Sequence, residues 1–291
     1  MGAGARIGRY RIVGVIGPWK MGWLYRGRDD LAGRDAWVKT LSPAGTRHPP
    51  SRRRFESEAK VTAVFSHPNI IATYELGEHE GAPFIAFEAL EGMHLRDAIR
   101  VGTSLRFGIP VVLQVLDGLA FLHKWGVIHR NIQPGSVFLG ADGRAKIVDF
   151  WLAKLADPTA GGTPTAPGTR TARRWGVLSY LSPELVLARS CDARTDLYSV
   201  GCVLHEMVTG GTPFRADSPH DLGYAILHHN PEMTQVPNGP EWQRLRLVIV
   251  RALQKKPEDR YRDAAAMRED LERALAALGS SADWTPPPTQ A

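Results

Sequence analysis

Short apolar runs broken by turn residues fill the first third of the chain. Tyr10–Ile16, Trp23–Gly27 and Ala36–Thr40 are short enough to read as strands of a small antiparallel sheet. After Pro49-Pro50 the period lengthens, and Ser51–Ser66 predicts a helix ended by Pro68. Glu58, Val61, Thr62 and Phe65 fall on one stripe of it, at i, i+3, i+4 and i+7. A carboxylate on an apolar stripe needs a partner once buried, so Glu58 is expected to be paired. Ile71–Leu76 and Phe84–Glu88 supply two further strands.

Beyond Gly92 the texture turns helical. Ile109, Leu113, Leu116 and Ala120 mark one face of a helix ending near Gly126. The run "VFLGADGRAKIVDF" predicts a hairpin around Asp142-Gly143, which brings the loop before it close to Asp149 after it. Residues 157–176 are rich in Thr, Gly, Pro and Arg, and irregular stretches of that length are expected to be functional or mobile. Asp196–Thr209 and Trp242–Leu253 read as buried helices, and Asp263–Leu278 as an amphipathic one. From Gly279 to Ala291 the composition is that of a linker or tail.

Composition narrows the class. Of 291 residues 43% are hydrophobic, enough for a substantial core. Thirty-six basic against 30 acidic residues give +6, spread along the chain without the basic, aromatic-studded stripe that nucleic acid requires. Two isolated cysteines, Cys191 and Cys202, fit a reducing compartment. Met1–Arg9 lacks an apolar signal core, and Ile109–Leu122 is interrupted by Gln114 and Asp117 and reads as too short for a bilayer. The expectation is a cytoplasmic chain without a membrane segment.

The motifs then fall into order. "AWVKT" around Lys39, "RFESEA" around Glu58, "HPNI" (67–70), "FIAFEALEG" (84–92), "HRNIQPGSV" (129–137), "DFW" (149–151), "YLSPE" (180–184), "DLYSVGCVLHEM" (196–207) and "KKPEDRY" (255–261) follow one another. In this sequence and spacing the chain resembles the protein kinase superfamily, specifically bacterial Ser/Thr kinase domains, over about residues 7–278. The resemblance implies an α+β two-lobed fold. An antiparallel-sheet N-lobe with one main helix (about 7–90) precedes a larger helical C-lobe (about 91–278). It also implies ATP and Mg²⁺ as cofactors, with Lys39 on the nucleotide phosphates and Glu58 as its ion-pair partner. Gly17 and Gly22 belong to the phosphate loop, Phe87 is the gatekeeper, and Glu88–Leu90 form the adenine-binding hinge. Asp149 is the metal ligand, and Arg260 pairs with Glu184.

The same resemblance exposes departures. "GPWKMG" keeps Gly17 and Gly22 but places Trp19 at the middle glycine, where the indole either swings out as a surface residue or lies over the nucleotide site. Asn131 stands where the family has its catalytic aspartate and is no base at neutral pH. Losing a positioned base costs about 10²–10⁴-fold in rate. Gln133 replaces the lysine that offsets phosphoryl charge. Ser136 replaces a metal-binding asparagine, and its hydroxyl is at best a partial substitute. Trp151 displaces the glycine of Asp-Phe-Gly, and Val177 displaces the threonine that bonds the catalytic pair.

Two functions stay open: a pseudokinase that regulates or scaffolds, whether ATP still binds or not, or a weakly active, unconventional Ser/Thr kinase. Thr159, Thr163, Thr165, Thr169 and Thr171, near Arg170, Arg173 and Arg174, are candidate phosphorylation sites for a partner kinase. Once modified they would suit a phosphothreonine reader of the FHA type. Unmodified, the same residues would form a solvated basic loop. Adjacent His228 and His229 point apart on a helix and carry no metal expectation.

Overall fold

A computed structural model describes residues 4–155 and 177–285. The threonine-rich stretch, with every candidate phosphorylation site, lies outside the described residues, as do 286–291. The N-lobe is a six-stranded antiparallel sheet of order β1-β2-β3-β4-β6-β5. Its strands are β1 (Arg6–Ile7), β2 (Tyr10–Trp19), β3 (Gly22–Asp29), β4 (Arg34–Leu41), β5 (Thr73–His79) and β6 (Ala82–Glu88). After a short α1 (Pro43–Arg47), the main helix α2 spans Pro49–Ala63.

Strand alternation divides the N-lobe into two apolar layers. On β4, Ala36 and Val38 join Tyr10, Ile12, Tyr25 and Phe84 in a small cluster on one face. Trp37, Lys39 and Leu41 take the other face, which period two requires. That face meets α2, whose buried side includes Phe55, Glu58, Ala59, Val61 and Thr62.

The lobes are stitched by the segment after α2. Ile70 bridges Ile147 in parallel, Ile147 N donates to Asn69 O at 2.9 Å, and Asn69 Nδ2 donates to Ala145 O at 2.9 Å. In the C-lobe, β7 (Gly92–His94) leads into α3 (Leu95–Arg100) and α4 (Leu105–Lys124). The predicted hairpin is present as β9 (Val137–Gly140) and β10 (Ala145–Ile147), with Gly143 at φ 78° in its turn. A small pair, β8 (Val127–Ile128) with β11 (Lys154–Leu155), brackets the loop between them. Helices α5 (Pro183–Val186), α6 (Arg194–Thr209), α7 (Pro219–His228), α8 (Pro240–Ala252) and α9 (Ala264–Leu278) complete the lobe.

Two expectations need correction. α4 has 20 residues, longer than its sequence suggested, and by length and apolarity alone would suffice to cross a bilayer. Its apolar side instead packs on α6, α9 and β10. Because it is covered from several directions, Leu105, Ile109, Val112, Leu116 and Leu119 are sealed, while Leu113 and Ala120 are only half-buried. The second correction concerns the tail. Gly279–Asp283 forms a 3₁₀ turn, Trp284 packs edge-on to Trp242 at 5.9 Å, and its Nε1 donates to Val208 O at 3.2 Å. Trp284 O accepts from Leu105 N at 3.0 Å, and Asp283 pairs with Arg106. An apolar ring with two backbone bonds outweighs the polar composition around it, so residues 279–285 belong to the folded body.

Candidate functional site

Between the lobes lies a cleft of about 430 Å³. Ile16, Leu24, Trp37, Ile71, Phe87 and Val148 are its apolar lining; Lys20, Lys39, Glu58, Asp149, His94 and Arg96 are its polar lining. Lys39 Nζ donates to both Glu58 oxygens at 2.8 Å, with Lys39 7% and Glu58 2% exposed. The stripe of α2 and the alternation of β4 meet here, which satisfies the buried carboxylate predicted from sequence. Burial lifts the Glu58 carboxyl above its ordinary value, while Lys39 pulls it down.

The loop from His129 to Ser136 is held from below by Asp196 at the start of α6. Its Oδ2 accepts from His129 N at 2.9 Å and meets His123 Nε2 at 2.9 Å; Oδ1 accepts from Arg130 N at 2.8 Å. Burial opposes the Asp196 charge, but His123, His129 and these amides outweigh it and hold the carboxyl below its usual range. His129 is fully buried with Nε2 3.1 Å from Val148 O, and burial keeps its ring below the ordinary imidazole pKa. Arg130, at φ 59°, donates Nε to Leu152 O at 2.8 Å. The loop's frame is therefore intact.

Its chemistry is rearranged. Asn131, 1% exposed, donates Nδ2 to Asp149 Oδ2 at 2.9 Å. Gln133 Nε2 reaches Asn131 Oδ1 at 3.4 Å. Ser136 Oγ accepts from Gln133 N and donates to Gln133 O, both at 3.0 Å, and the residue is fully buried. Val177 is buried and contributes no hydroxyl. Asp149, at φ 63°, also pairs with Lys20 Nζ at 3.2 Å and lies 4.0 Å from Lys39 Nζ. Burial would raise its pKa, but Lys20 and then Lys39 hold the carboxyl below its ordinary value. The candidate metal ligands Asp149 and Ser136 are thus committed to partners within the chain, and this donor set does not fit a divalent cation.

The phosphate loop has turned inward. Trp19 stacks on Phe55 of α2 at 5.8 Å and meets Trp151 edge-on at 5.2 Å; its Nε1 donates to Thr40 O at 2.8 Å. Lys39 Nζ sits 4.1 Å from the centre of the Trp19 ring. Gly22 is required beside it, because a Cβ there would lie 1.9 Å from Thr40 O. A Cβ at Gly17 would meet nothing within 4 Å, but the residue sits at φ 159°.

Glu88–Leu90 run from the end of β6 into the connection to β7. Glu88 Oε1 accepts from Ala72 N and from Lys146 Nζ, both at 2.7 Å. With Leu90 it lines a separate hollow beside Phe138 and Ala141, rather than the cleft. Phe87 lines the cleft. Two residues the sequence reading passed over matter here: Trp37, whose ring meets Phe138 edge-on at 5.2 Å, and Lys20. Elsewhere, Arg260 donates to both Glu184 oxygens at 2.8 Å, the pairing the motifs implied.

Comparison with known proteins agrees with this architecture. The protein kinase domain model matches residues 10–271, and the chain belongs to that family. It is 36% identical over 272 residues to the serine/threonine-protein kinase PknB of Mycobacterium leprae, covering 91% of this chain and 43% of that protein. It is 34% identical over 274 residues to a probable serine/threonine-protein kinase of Streptomyces coelicolor, covering 92% and 40%. The chain therefore spans about two-fifths of the length of the curated relatives it matches. The crystal structure of the Mycobacterium tuberculosis PknI kinase domain superposes with a TM-score of 0.72 at 25% identity, covering 94% of this chain and 99% of that one.

Proposed function

We propose that this bacterial Ser/Thr kinase-type domain is a pseudokinase that serves as a regulatory or scaffolding module. One observation carries the reading: the residue at the base position, Asn131, points its NH₂ at Asp149 and leaves no acceptor of a substrate proton. Gln133 and Val177 remove the groups that would assist it. The test is transfer of radiolabelled phosphate from ATP·Mg²⁺ to itself and to generic protein substrates, with Lys39→Met as control. Transfer abolished by Lys39→Met would overturn the reading.

The second reading is a weak, unconventional Ser/Thr kinase. The names of its relatives and the intact Lys39–Glu58 pair favour it. The same assay decides between the two.

Its partners in this proposal are proteins: an active Ser/Thr kinase acting on Thr163, Thr165, Thr169 or Thr171, and an FHA-type reader of the product. Mass spectrometry of protein from its native host tests this, and threonines found always unmodified would refute it.

A further inference from the structure

We infer that the cleft carries side-chain replacements for both nucleotide and metal and takes neither, a conclusion that rests on the pseudokinase reading and goes a step beyond it. Three residues of the N-lobe each cross to the C-lobe. Trp37 fills the base slot. It lies two residues before Lys39 on the same face of β4, so it points into the cleft between that strand and β9. A planar base needs roughly 7 Å between its walls, twice the ~3.5 Å contact distance of carbon atoms. The Trp37 and Phe138 rings stand 5.2 Å apart, edge to face, already in contact. His94 also meets Phe138 edge to face at 5.2 Å. The hinge residues Glu88 and Leu90 line a hollow that Phe138 also walls.

Lys20 takes the place of the metal. Its ammonium reaches Asp149 Oδ2 at 3.2 Å, and the same oxygen accepts from Asn131 at 2.9 Å. Mg²⁺ would need that oxygen at about 2.0–2.1 Å and would sit against the ammonium groups of Lys20 and Lys39. Trp19 covers the remaining approach, its ring 4.1 Å from Lys39 Nζ while its edge rests on Trp151. Lys39 is thereby paired with Glu58, capped by an indole and 4.0 Å from Asp149 Oδ1, so a phosphate would have to displace these partners to reach its ammonium. The closed arrangement of the lobes is held by Trp19–Trp151, Lys20–Asp149 and Trp37–Phe138, at any concentration of ATP. Its state responds to protein contact or covalent modification rather than to nucleotide.

The test titrates the intact chain with the fluorescent analogue trinitrophenyl-ATP, and with ATP in thermal melts, each in Mg²⁺ and in EDTA. Wild type is expected to show no saturable binding and an unmoved melting temperature; saturable binding overturns the inference whatever the variants do. Trp37→Ala is expected to gain affinity for the analogue by at least about tenfold. A cooperatively melting Trp37→Ala without that gain overturns the role of Trp37. Binding by Trp37→Ala should be indifferent to Mg²⁺, and Trp37→Ala/Lys20→Ala should bind more tightly in Mg²⁺ than in EDTA. Magnesium dependence already present in Trp37→Ala overturns the role of Lys20. Phosphotransfer is measured on the same samples: nucleotide binding by wild type without transfer sinks this inference alone, whereas transfer by wild type sinks the pseudokinase reading with it.

Discussion

Asn131 and Asp149 are joined side chain to side chain, Nδ2 donating to Oδ2 at 2.9 Å. An ionised carboxylate only accepts, so the amide must present its NH₂ side there. Restoring an acid by Asn131→Asp would place two carboxylates at that distance and leave Asp149 short of a donor. We expect Asn131→Asp to gain no phosphotransfer and to lose about 1–3 kcal/mol in urea unfolding. Turnover rising in this variant would contradict the account of the site.

Lys39 and Glu58 are a buried pair whose halves depend on each other. Lys39→Met strands a carboxylate in the core, and unfolding free energy should fall by about 3–5 kcal/mol. Lys39→Met/Glu58→Leu should recover most of that loss, since two apolar groups leave nothing unpaired. A double variant no more stable than the single one would show that packing, not charge, governs the position.

Acid should weaken the fold in two stages. His129 has its folded pKa depressed by burial, so its contribution is complete above the unfolded value of about 6.5 and is lost as pH falls through the folded one. Asp196 and Glu184 are also depressed in the fold, each held charged by its partners against burial. Their contribution is complete above roughly pH 4–4.5 and disappears below it. Denaturation midpoints measured from pH 8 to pH 3, as an approximate working range, should fall in both windows. Asp196→Asn should flatten the lower stage, and an unchanged lower limb would refute its assignment.

Trp284 is half-buried, with its ring on Trp242 and its Nε1 on Val208 O. Trp284→Ala should cost about 2 kcal/mol, less than a fully buried tryptophan. Hydrogen exchange should quicken first at Leu105 N, which donates to Trp284 O. A melt unchanged by this substitution would return residues 279–285 to the status of a tail.

Much of this could be read from residue order. The Lys39–Glu58 pair follows from one carboxylate on an apolar stripe and one lysine on an alternating strand. The frame of the loop follows from His129, Arg130 and Asp196 in register. Trp37 was equally legible, because period two puts it on the face of Lys39. The direction of Trp19 was not legible: it depends on Phe55, Trp151 and Thr40, three contacts from separate elements. Lys20 lies in a turn without periodicity, and its pairing with Asp149 exists only after the hairpin folds over. The docked tail was hidden by its own composition, since a single tryptophan decides it.

The anchoring of Trp284 also makes the C-terminal end of the domain a mechanical terminal. A load applied through residues 286–291 would meet the Asp283–Arg106 pair and the Trp284 ring before it reached α9. From there it enters the first turn of α4 and the last turn of α6. The far end of α4 carries His123, and the opposite end of α6 carries Asp196, the two residues beneath the His129–Arg130 loop. Trp284 therefore ties the C-terminal end of the described residues, through α4 and α6, to the two residues that anchor that loop.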